Sequence, residues 1–223
     1  MRRIFVLTKY AYNMKRMFFA AIAATFMSCA VAQNNGDISL PAPDKSRGTN
    51  LMEALWNRQS VRECADRDLS EKDLADLLWA ANGVNRADGK RTAPSAMNKQ
   101  DIEVYAITAK GAYRYDASAH KLVLVSEGDH RSAVAGRQGF VSHFPVSLVL
   151  VSDVSKFGQN SEQARFTAAM DAGYVSQNIC LFCSATGLVT VPRGSMDKDA
   201  LKKVLKLGDN ELPILNNPVG YRK

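Results

Sequence analysis

Hydrophobic and polar residues follow two different periodicities along the chain, and these separate helices from strands. Apolar residues recur at helical spacing after two sequences typical of a helix start, at Asn50 and Ser70. Gly83 and Gly187 follow two helical segments at a position where glycine commonly ends a helix. The pattern predicts helices over about 51–57, 70–83, 129–138, 161–186 and 197–206.

Shorter segments rich in branched apolar residues predict the strands. The run 146–151 is almost entirely apolar, which is typical of a strand buried on both faces. Three earlier segments follow one another closely enough to form a meander, which excludes a purely doubly wound fold. The predicted strands are 102–108, 112–116, 121–125, 146–151 and 188–191, followed by an extended tail to Tyr221. The fold class is therefore α+β, a mostly antiparallel sheet surrounded by helices with a long central helix.

Length and composition favour one globular domain. The chain has 223 residues, of which 46% are hydrophobic and 23% charged, so it can bury a core without disulfides. The domain is expected over 49–223, after a polar linker or arm at 33–48 that contains two prolines.

The N-terminus predicts export. Lys15 and Arg16 precede an apolar run at 17–27 that is too short to span a membrane comfortably, and small residues at 30–32 suit cleavage after Ala32. Residues 1–32 are then a signal peptide, with Met14 as an alternative start, and the protein is periplasmic. Two alternatives remain open: a lipoprotein anchored to a membrane through Cys29, or a cytoplasmic protein whose start is misassigned.

Charge and cysteine positions exclude several other classes. The net charge of +7 owes five basic residues to segment 1–32, and its removal leaves 24 basic residues against 22 acidic ones. No basic stripe with interleaved aromatic residues remains, so nucleic acid is not expected as a partner. The three histidines have no metal-ligand spacing, and no metal site is expected. Cys180 and Cys183 lie inside an apolar helical run rather than at a helix start, which favours buried thiols over a redox pair.

Four separated clusters hold residues that could bind a ligand, although each also fits an ordinary surface turn or helix end. Arg58–Arg62 offers two guanidinium groups and a hydroxyl, which suit phosphate oxygens. Thr92–Asn98 is a proline-stiffened loop that could offer amides to a planar heterocycle. Thr190–Gly194 follows a strand and could point a backbone amide at a ring nitrogen, and Pro218–Lys223 ends with two cations.

The order and separation of these clusters resemble the FMN-dependent nitroreductase family. The resemblance covers roughly 50–223 and includes Asp171-Ala-Gly-Tyr-Val-Ser-Gln-Asn178, which is similar to the central helix of that family. The sequence Asn98-Lys-Gln-Asp, where the family often has Asn-x-Gln-Pro, is closer to the azoline-oxidising dehydrogenase branch.

The resemblance implies a homodimer with two FMN sites at the subunit interface. Residues of the first and last clusters would bind the phosphate and ribityl end, the second cluster would come from the other subunit, and the third would lie by the flavin N5 edge. The phosphate and ribityl end would be bound by Arg58, Ser60, Arg62 and Arg222, with Lys223 beside it, and Gln59 would lie beside the ring. The other subunit would contribute Pro94, Ser95, Ala96 and Asn98. Arg193 and Gly194 would lie by the flavin N5 edge.

The implied activity is electron transfer through flavin N5 to a small organic acceptor such as a nitroaromatic or a quinone. No side chain stands out as an acid, base or nucleophile, because the cofactor carries the redox step. NAD(P)H is the expected donor, although it is scarce outside the cytoplasm. Two alternatives stay open: an exported flavin-binding protein without turnover, and a structural module without flavin.

Overall fold

The computed structural model describes residues 36–223. The predicted signal peptide, with Met14, Cys29 and the cleavage position after Ala32, lies outside the described residues. Within 36–223 no helix is both long enough and apolar enough to span a membrane.

Within residues 36–223, five α-helices form where the sequence predicts them. They are α1 (Leu51–Asn57), α2 (Glu71–Asn82), α3 (Arg131–Ala135), α4 (Glu162–Thr186) and α5 (Lys198–Val204). The side chains of Asn50, Ser70 and Ser161 accept hydrogen bonds from backbone N–H groups in the first turns of α1, α2 and α4. These bonds satisfy donors that have no partner within the helix, and they explain why the helices begin there.

The helix predicted over 129–138 is shorter in the structure. It ends at Ala135 because Gly136 adopts φ 54° and ψ −120°, which a helix cannot continue. A 3₁₀ segment, Gly139–His143, replaces the rest of the connection to the next strand.

In the described part of the chain, seven strands form one sheet in which every neighbouring pair is antiparallel. They are β1 (Ile38–Ser39), β2 (Ile102–Thr108), β3 (Gly111–Asp116), β4 (Lys121–Glu127), β5 (Val146–Asp153), β6 (Leu188–Thr190) and β7 (Glu211–Tyr221), in the order β1-β4-β3-β2-β5-β7-β6. The predicted meander is β2-β3-β4. The extended tail is itself the strand β7, which pairs with β5 from Val219 to Glu211 and with β6 on its other side.

Helices cover both faces of the sheet, as the apolar pattern of β5 predicts. Leu148 and Leu150 point into a cluster with residues of α2 and α4. Val149 and Val151 point the other way, into a cluster with residues of α3 and α5. Alternate side chains of one strand therefore enter two separate cores, which requires the nearly continuous apolar run.

The described part of the predicted linker or arm, residues 36–48, lies against the domain. Strand β1 pairs with β4, and the Asp37 carboxylate accepts a hydrogen bond from the backbone N–H of Leu124 at 3.0 Å. Arg47 forms an ion pair with Asp76 on α2 at 2.9 Å and a second one with Asp73. These contacts attach the segment to both the sheet edge and a helix.

Candidate functional site

The segment Arg58–Arg62 leaves the end of α1 and crosses to strand β6. The backbone N–H of Arg58 donates to Ala54 as the helix closes, and the backbone N–H of Val61 donates to the carbonyl of Thr190 at 3.0 Å. The side chain of Arg58 is half-buried, whereas those of Gln59, Ser60 and Arg62 are exposed. This cluster is therefore anchored through its backbone and presents its side chains outward.

The C-terminal segment is fastened beside that cluster through Tyr221. The Tyr221 hydroxyl donates to the Asp73 carboxylate and accepts from the backbone N–H of Ser70 at 3.1 Å. The guanidinium of Arg67 lies 3.6 Å above the Tyr221 ring, and the Tyr221 carbonyl accepts from the backbone N–H of Ala65 at 2.9 Å. The following residue, Arg222, is thereby held near the first cluster.

A narrow cleft brings the first and last clusters together. Its lining comes from the end of α1, the C-terminal half of α4, strand β6 and the tail. The lining residues include Gln59, Val61, Cys180, Ser184, Thr190 and Arg222. Three of the four clusters therefore meet within one chain, the third of them through Thr190.

Three guanidinium groups at this place have no carboxylate partner in the described part of the chain. Arg58, Arg62 and Arg222 belong to none of its ion pairs, whereas the neighbouring Lys223 pairs with Glu63 at 3.0 Å. Guanidinium groups that have no internal acid as a partner are available to bind an anion. The fork of N–H donors on each group matches phosphate oxygens best.

The cysteines at the base of the cleft are buried thiols, as the sequence predicts. Burial raises the pKa of the Cys180 thiol, although nearby Arg58 acts in the opposite direction. Burial also raises the pKa of Cys183, well above its ordinary value. Both residues stay protonated near neutral pH, so neither is a ready nucleophile.

The side chain of Arg193, in the third cluster, points into the protein. Its guanidinium is buried and donates to four groups inside the protein. These acceptors are Gln138 Oε1 (2.8 Å), Val134 O (3.3 Å), Ala135 O (3.1 Å) and Asn216 Oδ1 (2.8 Å). The carbonyls at the end of α3 lack helical partners, and Arg193 satisfies them. The Arg193 side chain therefore has a structural role, since it connects the end of α3 to Asn216 of β7.

Gly194 is the part of this cluster that is available to a ligand. The backbone N–H and carbonyl of Arg193 both pair with Asn216, at 2.8 Å and 2.7 Å. Gly194, next in the chain, is exposed, and no heavy atom lies within 4 Å of the place where its Cβ would be. A planar ligand could approach this backbone closely.

The loop Pro94–Asn98 is tightly built. The Ser95 hydroxyl accepts from the backbone N–H of Gln100 at 2.8 Å, and the Asp171 carboxylate on α4 accepts from the backbone N–H of Ala96 at 2.9 Å. Met97 and Asn98 both have a φ of 52°. Such left-handed conformations cost non-glycine residues on the order of 1 kcal/mol each, so the surrounding hydrogen bonds must hold them.

Within one chain this loop lies away from the cleft. It contacts α4 at Asp171, whereas the cleft is lined by Cys180 and Ser184 of the same helix. At a rise of 1.5 Å per residue, about 14 to 20 Å separates the two places along the helix axis. The structure therefore brings residues of the first, third and last clusters to one cleft and leaves the second cluster apart.

The sequence assigns no binding or catalytic role to two further candidates, Asp101 and Asp171, although both lie within the motifs that resemble the family. Both are buried, and their carboxyl groups face each other beneath the loop. The signal for Asp171 is present in the sequence, since it is an acid within the apolar run of α4. Asp101 carries no such signal because it follows a polar loop.

The fold agrees with comparisons to known proteins. A model described as the nitroreductase family matches residues 55–221. A protein of Methanocaldococcus jannaschii that carries a nitroreductase name is 29% identical over 196 residues, which cover 83% of this chain and 96% of that one. A crystal structure from Ralstonia eutropha, also carrying a nitroreductase name, has 38% identity and a TM-score of 0.78 and covers 84% of this chain and 90% of its own.

More distant structures share the fold. A nitroreductase family protein from Streptococcus pneumoniae has 20% identity and a TM-score of 0.57, with coverage of 78% of this chain and 91% of its own. The seven-stranded antiparallel sheet around a 25-residue helix is the nitroreductase fold. The chain belongs to the nitroreductase family. Membership indicates an oxidoreductase that acts on small molecules.

Proposed function

We propose that the protein is an FMN-dependent oxidoreductase that passes electrons to a small organic acceptor. The observation that carries this proposal is that the first and last clusters line one cleft, through Gln59, Val61 and Arg222. The three arginines of these clusters, Arg58, Arg62 and Arg222, have no carboxylate partner among the described residues. A flavin mononucleotide has a phosphate at one end and a planar ring at the other, so it needs both a cationic end and an open backbone wall.

The chain offers both features. Arg58, Arg62 and Arg222 would hold the phosphate, with the Ser60 hydroxyl as an additional donor. Gln59 would lie beside the ring, and the exposed backbone of Gly194 would face its edge. Bound FMN supplies electron transfer at its N5 atom. The protein contributes orientation and charge, and the cleft thiols stay protonated.

A homodimer would complete this site. Because Pro94–Asn98 lies about 14 to 20 Å from the cleft along α4, a second copy must supply it if the loop is to contact the ring. Exposed apolar side chains support such a contact: Trp56 on α1 is 89% exposed, Met97 of the loop 76%, and Phe166 of α4 61%. Exposed apolar patches commonly mark protein interfaces.

The acceptor proposed is a conjugated small molecule such as a nitroaromatic or a quinone, with NAD(P)H as donor. The sequence Asn98-Lys-Gln-Asp101 supports a place near the azoline-oxidising branch. Anaerobic mixing of the purified protein with NADH and with NADPH tests the donor. Loss of the oxidised flavin absorbance with either one supports it, whereas flavin that no donor reduces supports a binding protein without turnover.

The N-terminal sequence supports export, which remains a separate proposal. Cell fractionation with intact-mass analysis tests it: a periplasmic chain starting at residue 33 supports cleavage after Ala32. A lipidated Cys29 or an uncleaved cytoplasmic chain would contradict it. Periplasmic location would require a donor other than cytoplasmic NAD(P)H.

Visible absorbance of the purified protein tests the cofactor. We expect the bands of oxidised flavin, or their recovery after incubation with FMN. The double variant Arg58→Ala/Arg222→Ala should weaken FMN binding by on the order of 100-fold, because each charge-assisted phosphate bond contributes roughly 1.5–3 kcal/mol.

The matched control is Lys203→Ala, which removes an exposed cation of α5 that lies outside all four clusters. Its FMN affinity should equal that of the wild type. A colourless protein that FMN cannot reconstitute contradicts the proposal, as does a double variant that binds FMN normally.

A further inference from the structure

Two buried carboxyl groups face each other beneath the Pro94–Asn98 loop. Asp101 has no exposed surface and Asp171 is 2% exposed, and the two side chains lie within hydrogen-bonding reach of each other. Neither one belongs to any ion pair in the part of the chain that the structure describes. Two unpaired negative charges buried in contact are strongly unfavourable, so one carboxyl group must hold a proton.

The hydrogen bonds show which group holds it. Asp171 Oδ2 accepts from the backbone N–H of Ala96 at 2.9 Å, so this oxygen is an acceptor. Asp101 Oδ2 accepts from the Ser152 hydroxyl at 2.6 Å, and its other oxygen, Oδ1, is buried without a partner among the described residues. Oδ1 of Asp101 is therefore the oxygen that can hold the proton and donate a hydrogen bond to the Asp171 carboxylate.

We propose that Asp101 is a positioning residue for the Pro94–Asn98 loop. In its protonated form it donates a hydrogen bond to Asp171, while the Asp171 carboxylate accepts a hydrogen bond from the backbone N–H of Ala96. The loop that these bonds fix presents Ser95 and Asn98, and it carries the two left-handed residues described above. The inference rests on the proposed function in one respect only, namely that this loop contacts FMN in the partner subunit.

The charged side chains near the carboxyl pair do not neutralise it in place of the proton. Lys156 donates to the backbone carbonyl of Gln100 at 2.9 Å, and Arg91 donates to the Gln100 side chain at 3.2 Å. Asp153 on β5 turns its carboxylate toward the backbone and hydroxyl of Ser155. These two cations therefore bond to Gln100, next to Asp101, and form no ion pair with either of the two carboxyl groups among the described residues.

The pH dependence has a definite sign. Burial, with Asp171 beside it, raises the pKa of Asp101 to about 6 from an ordinary value near 3.8. The folded protein thus keeps this proton to a higher pH than the unfolded chain. The stability that the proton provides is fully present below pH 4, decreases between about pH 4 and 6, and is absent above that range.

The test compares wild type with Asp101→Asn, whose amide can donate to Asp171 at every pH. FMN affinity is measured near pH 5 and near pH 8. The phosphate of FMN also titrates near pH 6. The readout is therefore the affinity of the variant divided by the affinity of the wild type, taken at each pH. We expect about equal affinities near pH 5, and on the order of tenfold tighter binding by the variant near pH 8. A ratio that does not change with pH overturns the proposal.

The control is Asp209→Asn, which removes an exposed carboxylate far along the sequence from the loop and should leave the ratio at one. A carboxyl-carbon NMR titration of cofactor-free wild type gives a second readout. An Asp101 pKa near 6 supports the shared proton, and a pKa at or below about 4 overturns it. This readout needs no FMN, so it separates failure of the carboxyl pair from failure of the proposed function.

Discussion

Gly220 lies where no side chain can be accommodated. A Cβ at this position would lie 2.7 Å from the Cβ of Cys64 and 3.1 Å from its sulfur. The contact is part of the packing that holds the tail beside Arg58–Arg62. Glycine here therefore serves close approach of two backbones, since its φ lies outside the left-handed region.

Substitution of Gly220 by alanine should lower the free energy of unfolding by roughly 1–3 kcal/mol, because the added methyl group forces the backbone or Cys64 to move. Urea unfolding measures the change. Gly139→Ala is the control, since no heavy atom lies within 4 Å of its Cβ position, and it should change stability by less than about 0.5 kcal/mol. Equal effects of the two substitutions would show that the close contact is unimportant.

Single residues also mark the limit of what sequence predicts about the site. Arg58 and Arg222 could be proposed as phosphate ligands from the sequence because each is a cation that is visible within its own segment, and this role stays a prediction. The role of Arg193 could not be recognised in this way. Its four acceptors come from segments 20 to 60 residues away, and nothing local to Arg193 shows that they converge on it.

At the scale of elements, Arg193 connects α3 to strand β7 and to the turn after β6. Replacing it with methionine keeps the apolar stem and removes every donor. The carbonyls of Val134 and Ala135 and the side chain of Asn216 would then lose a buried partner. We expect a loss of roughly 2–4 kcal/mol in the free energy of unfolding, measured with urea.

The control for this change is Arg137→Met, an exposed arginine just after α3. It should alter stability by less than about 0.5 kcal/mol. If Arg193→Met changed the free energy of unfolding as little as this control, the buried guanidinium would make no net contribution to stability. Its hydrogen bonds to α3 would then be unimportant for folding.

The elements were largely predictable from sequence because their signals are local. Capping side chains fix the starts of α1, α2 and α4, and the apolar run of β5 reports burial on both faces. The position of β7 was not predictable. Local periodicity reports that a segment is extended, but strand order depends on pairing with β5, whose partner residues lie more than 50 positions earlier.

At the scale of the whole molecule, the exposed apolar side chains predict a dimer in solution. Phe166, Met170 and Tyr174 lie at four-residue spacing on α4 and form one stripe, although each is at least 40% exposed. Analytical ultracentrifugation should give about twice the mass of one chain. Phe166→Asp/Met170→Asp should shift it to the monomer, because buried unpaired carboxylates oppose association.

Lys203→Asp provides the control, since it also introduces a carboxylate but on the exposed surface of α5. It should remain a dimer. A wild-type protein that is monomeric at micromolar concentration contradicts the prediction, and so does a double variant that still dimerises.

The position of β7 in the sheet also affects how the protein is made. Strand β5 has β2 on one side soon after synthesis, but its other edge stays open until Glu211–Tyr221 has emerged from the ribosome. That open edge belongs to a strand whose first seven residues are all buried in the folded protein, and such edges pair readily with other chains. A nascent or prematurely terminated chain that lacks β7 is thus a natural client for chaperones, and the same strand that carries Tyr221 and places Arg222 also protects the newly made protein from aggregation.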